Sequence, residues 1–135
     1  MASYHADGTL PGNNAVFVFG SNLGGKHGKG AALVASKRFG AVRGVGEGRT
    51  GDSYAIPTKD ARLKVLPVTR IAEAATRFLE YAKANPDVSF WVTRIGCGLA
   101  GFTDAQMAPL FRGAGPNCNF AQEWEPFLKE DDDNA

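Results

Sequence analysis

Apolar and polar positions along the chain switch between a strand-like and a helix-like pattern. Ala15-Val-Phe-Val-Phe19 is an unbroken apolar run, the mark of a strand covered on both faces. Ala31–Phe39 then reads as a helix of small residues, which Gly40 ends from a C-cap position. Ser53-Tyr-Ala-Ile56 alternates weakly as a short strand, and Pro57 is expected to end it. Over Val68–Ala84 an apolar stripe of Ile71, Ala75, Phe78, Leu79 and Ala82 predicts a helix. Thr69 is its expected N-cap and Asn85-Pro86-Asp87 its break. Val88–Ile95 is rich in β-branched and aromatic residues and predicts a strand. Thr103-Asp-Ala-Gln106 matches a capping box, with Phe102 and Met107 placed to form its hydrophobic staple, and Pro109 shortens or kinks the helix that follows. Asn117–Ala121 adds a last short strand, after which Trp124 and Phe127 anchor the chain end. Met1–Asn14 reads as an irregular arm with room for a short edge strand. Strands and helices that alternate in this way predict an α/β sheet with helices on both faces.

Glycine is concentrated where strands give way to helices. The stretch Phe19-Gly-Ser-Asn-Leu-Gly-Gly-Lys-His-Gly-Lys-Gly30 separates the first strand from its helix, and Gly96-Cys-Gly-Leu-Ala-Gly-Phe102 does the same after the 88–95 strand. Such turns present backbone N–H groups to an anion at a helix start, and glycine lets the main chain approach it. Two of them at one sheet edge suit a diphosphate better than a single phosphate. Pro57-Thr-Lys-Asp60 is a polar stop at the end of another strand, where ligands sit in open α/β sheets. A further glycine-rich segment, Gly40–Gly51, cannot be a stable helix or a central strand. It reads as a mobile loop or, more sharply, as a loop closing over a ligand with Arg43 or Arg49 near phosphate.

Composition narrows the picture only a little. With 44% hydrophobic and 21% charged residues in 135, the chain is an ordinary single globular domain over 1–129, followed by an acidic tail, 130–135, expected to be disordered. The net charge of +1 conceals an asymmetry. No acid occurs from Gly8 to Gly46, whereas Lys26, Lys29, Lys37, Arg38 and Arg43 do, and the chain end is acidic. This suits an acidic ligand and is too weak a field for bulk duplex binding. Cys97 and Cys118 have no metal-ligand spacing, no signal-peptide pattern is present and no apolar run is of membrane-spanning length, so a reduced, cytoplasmic setting is the default expectation.

Neither glycine turn is a Walker loop, and neither matches the Rossmann fingerprint. Together, Val16-Phe-Val-Phe-Gly-Ser-Asn22, Gly24–Gly30, the helix after them and Ile95-Gly-Cys-Gly-Leu-Ala-Gly101 resemble the macrodomain superfamily of ADP-ribose-binding modules. The Gly-Cys-Gly form and Pro57-Thr-Lys59 look closest to the branch whose antitoxin members remove ADP-ribose from DNA bases, and the arrangement is also similar to small phage-type proteins. The resemblance spans roughly residues 15–121. It implies a three-layer α/β/α fold with a mixed, largely parallel sheet, and binding of ADP-ribose or a related nucleotide, free or on a macromolecule. Duplex nucleic acid would enter only as a modified substrate, and no cofactor or metal is implied.

Residue by residue, the resemblance implies that Asn22 bonds the distal ribose or its substituent, with Gly20 and Ser21 beside it. Gly24, Gly25, Gly28 and Gly30 would line the distal-ribose and diphosphate side, and Thr58 would lie next to them; His27, unusual in such a turn, is a further candidate to donate to a phosphate or act as an acid. Gly96, Cys97, Gly98, Leu99, Ala100 and Gly101 would wrap the diphosphate, and Phe102, next to them, is a candidate to stack on a base. Lys59 takes the place of the lysine used in the base-de-ADP-ribosylating branch, which makes a hydrolase the alternative to a binding module, with Lys59 and Asn22 as its catalytic pair. The second loop carries no acid, and Asp52, Asp60 and Asp104 are the candidate substitutes. For the family's adenine-contacting acid, Asp7 has about the right separation from Asn22 but different neighbours.

Overall fold

A computed structural model describes residues 3–12 and 14–133, and of 130–133 the main chain only. In chain order the strands are β1 (Ser3–His5), β2 (Ala15–Asn22), β3 (Gly48–Thr50), β4 (Ser53–Lys59), β5 (Ser89–Val92) and β6 (Cys118–Ala121). The helices are α1 (Gly30–Arg38), α2 (Val68–Ala84), α3 (Asp104–Met107) and α4 (Glu125–Asp133), with 3₁₀ turns over Ala108–Phe111 and Gln122–Trp124. The strands form one sheet in the order β1-β6-β5-β2-β4-β3, parallel throughout except for β3 against β4. This is the expected three-layer α/β/α arrangement with a mixed, largely parallel sheet. The expected tail, 130–135, lies outside the described residues except for the main chain of 130–133, which continues α4.

Alternation along the strands sorts the core into two layers. Val16, Val18, Tyr54, Ile56, Phe90, Val92, Cys118 and Phe120 face the side where α2, the Met107–Phe111 segment and Trp124 pack. Phe17, Phe19 and Ala55 face the other side, where α1 contributes Ala32 and Ala35. β2 sits between these layers and is buried on both faces, which is why its sequence is continuously apolar.

The chain leaves β2 through α1 to reach β4 on one side, then returns through α2 to β5 on the other. The carboxyl ends of β2 and β5 therefore flank a topological switch point, where a parallel sheet leaves a crevice.

Several boundaries differ from the expected ones. β4 runs through Pro57 to Lys59, because β3 reaches no further than Ala55 and leaves β4 without a second neighbour at the proline. Pro67, not Thr69, is the N-cap of α2; its carbonyl accepts from Arg70 and Ile71, and its fixed φ suits the start of a helix. The 88–95 strand is shorter, Ser89–Val92, although Thr93 still donates to Val18. The capping box at Thr103 and Gln106 is complete, and α3 ends at Met107 as Pro109 turns the chain into a 3₁₀ segment. The Gly40–Gly51 segment is tied down. Gly44 N–H donates to Gly25 O at 2.9 Å, and a Cβ on Gly46 would fall 2.3 Å from Asn22 O.

Candidate functional site

The crevice opens into a cleft of about 960 Å³ at the carboxyl edge of the sheet. Its floor is Gly20, Ser21 and Asn22 at the end of β2, Thr58 and Lys59 at the end of β4, and Thr93–Ile95 after β5. A bulge makes the β4 contribution possible. Ser21 pairs with Pro57 but Asn22 pairs with Lys59, so Thr58 is an extra residue and two consecutive side chains reach the same cleft.

The walls are the two glycine turns. Gly28–Ala32 stand on one side and Gly96–Ala100 on the other, close enough that a Cβ on Gly30 would lie 3.9 Å from Leu99. Among the described residues, the N–H groups of Gly28–Ala32 and of Gly98–Ala100 donate to no protein group. The first α1 hydrogen bond is Leu33 N–H to Lys29 O, and the helix has neither a side-chain cap nor an acid in its first turn. Uncapped N–H groups at the start of α1 carry partial positive charge, and the Gly98–Ala100 loop adds main-chain N–H groups of its own, so both walls offer donors to an anion.

Lys26, Lys29 and Lys59 also line the cleft, and none is in an ion pair with a described carboxylate. Among the described residues the single carboxylate on the lining is Asp7, and Arg94 holds it at 3.1 Å. The same guanidinium makes a two-pronged contact with Asp104, at 2.7 and 3.0 Å, and Asp104 also accepts from Trp124 Nε1 at 2.8 Å. The bond from Arg94 holds the Asp104 carboxyl below the usual carboxylate range. Its contribution to stability is therefore full above the unfolded value near pH 4 and is lost as pH falls through the lower folded value. Asp104→Asn is expected to cost about 1–2 kcal/mol at pH 7 in denaturant unfolding, and the gap to the parent should shrink by about pH 3.

Five of the residues expected on the lining stand outside it. Gly24 backs onto Ala61, and Gly25 is pressed against the Gly44–Val45 main chain. His27 is buried edge-on to Phe19. Gly101 closes its own loop by donating to Gly98 O, and Phe102 packs into the core. Gly20, Ser21, Asn22, Gly28, Gly30, Thr58, Lys59 and Gly96–Ala100 all line the cleft.

Asn22 is largely occupied by its own turn, donating to Lys26 O at 2.7 Å and accepting from Lys26 N–H at 2.9 Å. None of the three candidate acids is on the lining. Asp52 lies near Arg49 at the far end of β4, Asp60 binds the N–H groups of Arg62 and Lys64, and Asp104 is held by Arg94. Arg43 and Arg49 do not reach the cleft either; Arg49 donates to Tyr81 on α2. Burial, with Asp104 alongside, pushes the Cys97 thiol up to about 12, so it stays protonated.

The N-terminal arm supplies the wall that sequence reasoning missed. β1 pairs in parallel with β6, which lays His5 flat on Trp91 with ring centroids 3.9 Å apart and lets Trp91 Nε1 donate to Thr9 O. His5, Asp7, Gly8, Thr9 and Leu10 thereby line the cleft. The separation of Asp7 from Asn22 was the one sequence signal for this placement.

The fold is shared with a solved structure of a protein of unknown function from Bacteroides thetaiotaomicron. The two superpose with a TM-score of 0.59 at 20% identity, over 90% of this chain and 97% of that one. At that identity the likeness concerns the fold alone. No protein-family model matches the chain, and no curated protein matches it significantly. Among the described residues no helix is long and apolar enough to cross a membrane.

Proposed function

We propose that the cleft binds ADP-ribose or a related ADP-ribose-containing nucleotide, in the manner of the macrodomains that the sequence resembles. The observation that carries this reading is the pair of facing turns, each with unpaired N–H groups, in a cleft where, among the described residues, three lysines have no ion-pair partner and no carboxylate is free. A diphosphate set between the turns would take hydrogen bonds from Gly28–Ala32 and Gly98–Ala100, leaving a nucleoside and a ribose to extend towards opposite ends. The volume of about 960 Å³ lies within the range of small-molecule sites. Titration calorimetry with ADP-ribose tests the reading, and absence of binding at millimolar concentration would remove it.

Lys59 supports a second reading, an ADP-ribosyl hydrolase, because it lines the cleft with no ion-pair partner among the described carboxylates. The catalytic pair would be Lys59 and Asn22. The commitment of Asn22 to Lys26 and the lack of a free acid on the lining among the described residues favour binding over turnover. Lys59→Ala is expected to weaken ADP-ribose binding by about tenfold, the loss of one charge-assisted hydrogen bond. Release of ADP-ribose from modified DNA or protein by the parent, abolished in Lys59→Ala, would establish the hydrolase instead.

A further inference from the structure

One residue of the first turn faces away from the cleft that its neighbours line. Lys26 and Gly28 lie on the lining, whereas His27 between them is 8% exposed and stands edge-on to Phe19, with ring centroids 5.3 Å apart. Among the described residues, neither of its ring nitrogens has a hydrogen-bond partner. A neutral imidazole carries one donor and one acceptor, so this seat already leaves both unmet. Protonation would add a second donor and a full charge to the same apolar seat.

Among the described residues, no neighbouring charge offsets that cost. β2 presents Phe19 to the ring, and the 40–51 segment brings up the Val45 main chain, which does not reach hydrogen-bond geometry. The charged groups of the adjoining segments are Lys26 and Lys29 on the turn, Arg43, Glu47 and Arg49 on the 40–51 segment, and Lys37 and Arg38 at the far end of α1. Glu47, the single acid among them, is paired with Arg77, and no described carboxylate forms an ion pair with His27. Burial accordingly pushes the imidazole below its ordinary range, and the opposing influence of Val45 is smaller.

The turn has little slack to absorb a displaced ring. The Asn22 side chain clamps Lys26 on one side of His27, α1 begins at Gly30 on the other, and Gly25 is bonded to Gly44. We infer that His27 is a proton-sensitive positioning residue for the cleft. In the neutral form it seats the turn on the core and holds the Gly28–Ala32 N–H groups at the lining. In the protonated form it leaves its seat, and the cleft loses affinity for its anion. The inference concerns regulation of the proposed nucleotide site and rests on that reading.

His5 is the other histidine, and it lines the cleft, so a charge there would strengthen anion binding, the opposite sign. The experiment therefore starts from His5→Gln and compares it with the His5→Gln, His27→Gln double variant, using ADP-ribose calorimetry from about pH 7.5 to about pH 5. His5→Gln is expected to lose about tenfold in affinity on acidification and the double variant less than about twofold. Affinity that stays flat or rises in His5→Gln, or a loss that persists in the double variant, overturns the inference. If Gln at position 27 prevents folding, His27→Phe keeps the seat apolar and titration-free.

NMR of the unliganded protein separates this failure from failure of the nucleotide reading. The His27 ring protons should titrate with a midpoint below 6.5, and the Gly28–Ala32 amide shifts should follow that midpoint. Amides that ignore the titration would overturn the inference whether or not ADP-ribose binds.

Discussion

Gly25→Ala is expected to lower the unfolding free energy by about 3 kcal/mol or more, a larger effect than any other single methyl in the first turn. The residue adopts φ +66°, a left-handed conformation that L side chains rarely take. A Cβ there would lie 2.3 Å from Gly44 C and 2.4 Å from Val45 N, main-chain atoms that cannot swing aside as a side chain would. The backbone penalty contributes about 1–2 kcal/mol and the overpacking about 1–3 kcal/mol. Relief requires the 40–51 segment to move off the turn, breaking the Gly44–Gly25 hydrogen bond. Gly28→Ala supplies the contrast. Its φ is ordinary and nothing lies within 4 Å of the added atom, so its stability should stay within about 0.5 kcal/mol of the parent. Urea unfolding of the two variants measures the difference. A Gly25→Ala cost below about 1 kcal/mol would show that the 40–51 segment yields easily and does not brace the turn.

Gly28→Asp is expected to abolish most binding while leaving the fold intact, with affinity for ADP-ribose falling about a hundredfold. The open space around Gly28 accepts the side chain without strain, and the position lies on the cleft lining two residues before α1. A carboxylate there competes with the ligand's diphosphate for the N–H groups of Gly30–Ala32 and repels it. The same charge interacts favourably with the uncapped start of α1, so thermal stability should be unchanged or slightly higher. That combination, a stable protein with an empty site, sets the variant apart from Gly25→Ala, where binding is lost through the fold. Calorimetry beside a thermal melt reads both quantities. Undiminished affinity in Gly28→Asp would place the anion away from the first turn.

The two glycines also show how far the sequence alone reached into the site. The strand–glycine–helix pattern located both turns, and both face the cleft. Within the first turn, however, Gly25 and Gly28 are chemically the same letter, and their roles differ because the 40–51 segment folds back onto one and leaves the other open. Nothing local to residues 24–30 encodes the arrival of Gly44 and Gly46. His27 belongs to the same case, since its burial depends on Phe19 and that returning segment.

What the sequence determined by itself was the layering. Unbroken apolar runs, one amphipathic stripe and a capping box specify strands and helices because burial on a fixed period leaves few alternatives. The elements from β2 to α3 follow that logic except the edge strand β3, which forms inside the glycine-rich 40–51 segment by pairing with β4, and the deviations at Pro57 and Pro67 arise where neighbours, not periods, decide the boundary. Only the tertiary structure decided which charges meet the cleft. Parallel pairing of β1 with β6 brings Asp7 to Arg94 across 87 positions and makes the N-terminal arm a wall. The β4 bulge turns Thr58 and Lys59 into the cleft together, while Arg43, Arg49, Asp52 and Asp60 are left elsewhere. Such pairings are non-local, and their register rests on contacts that form once the sheet is assembled, so no short stretch of sequence carries them.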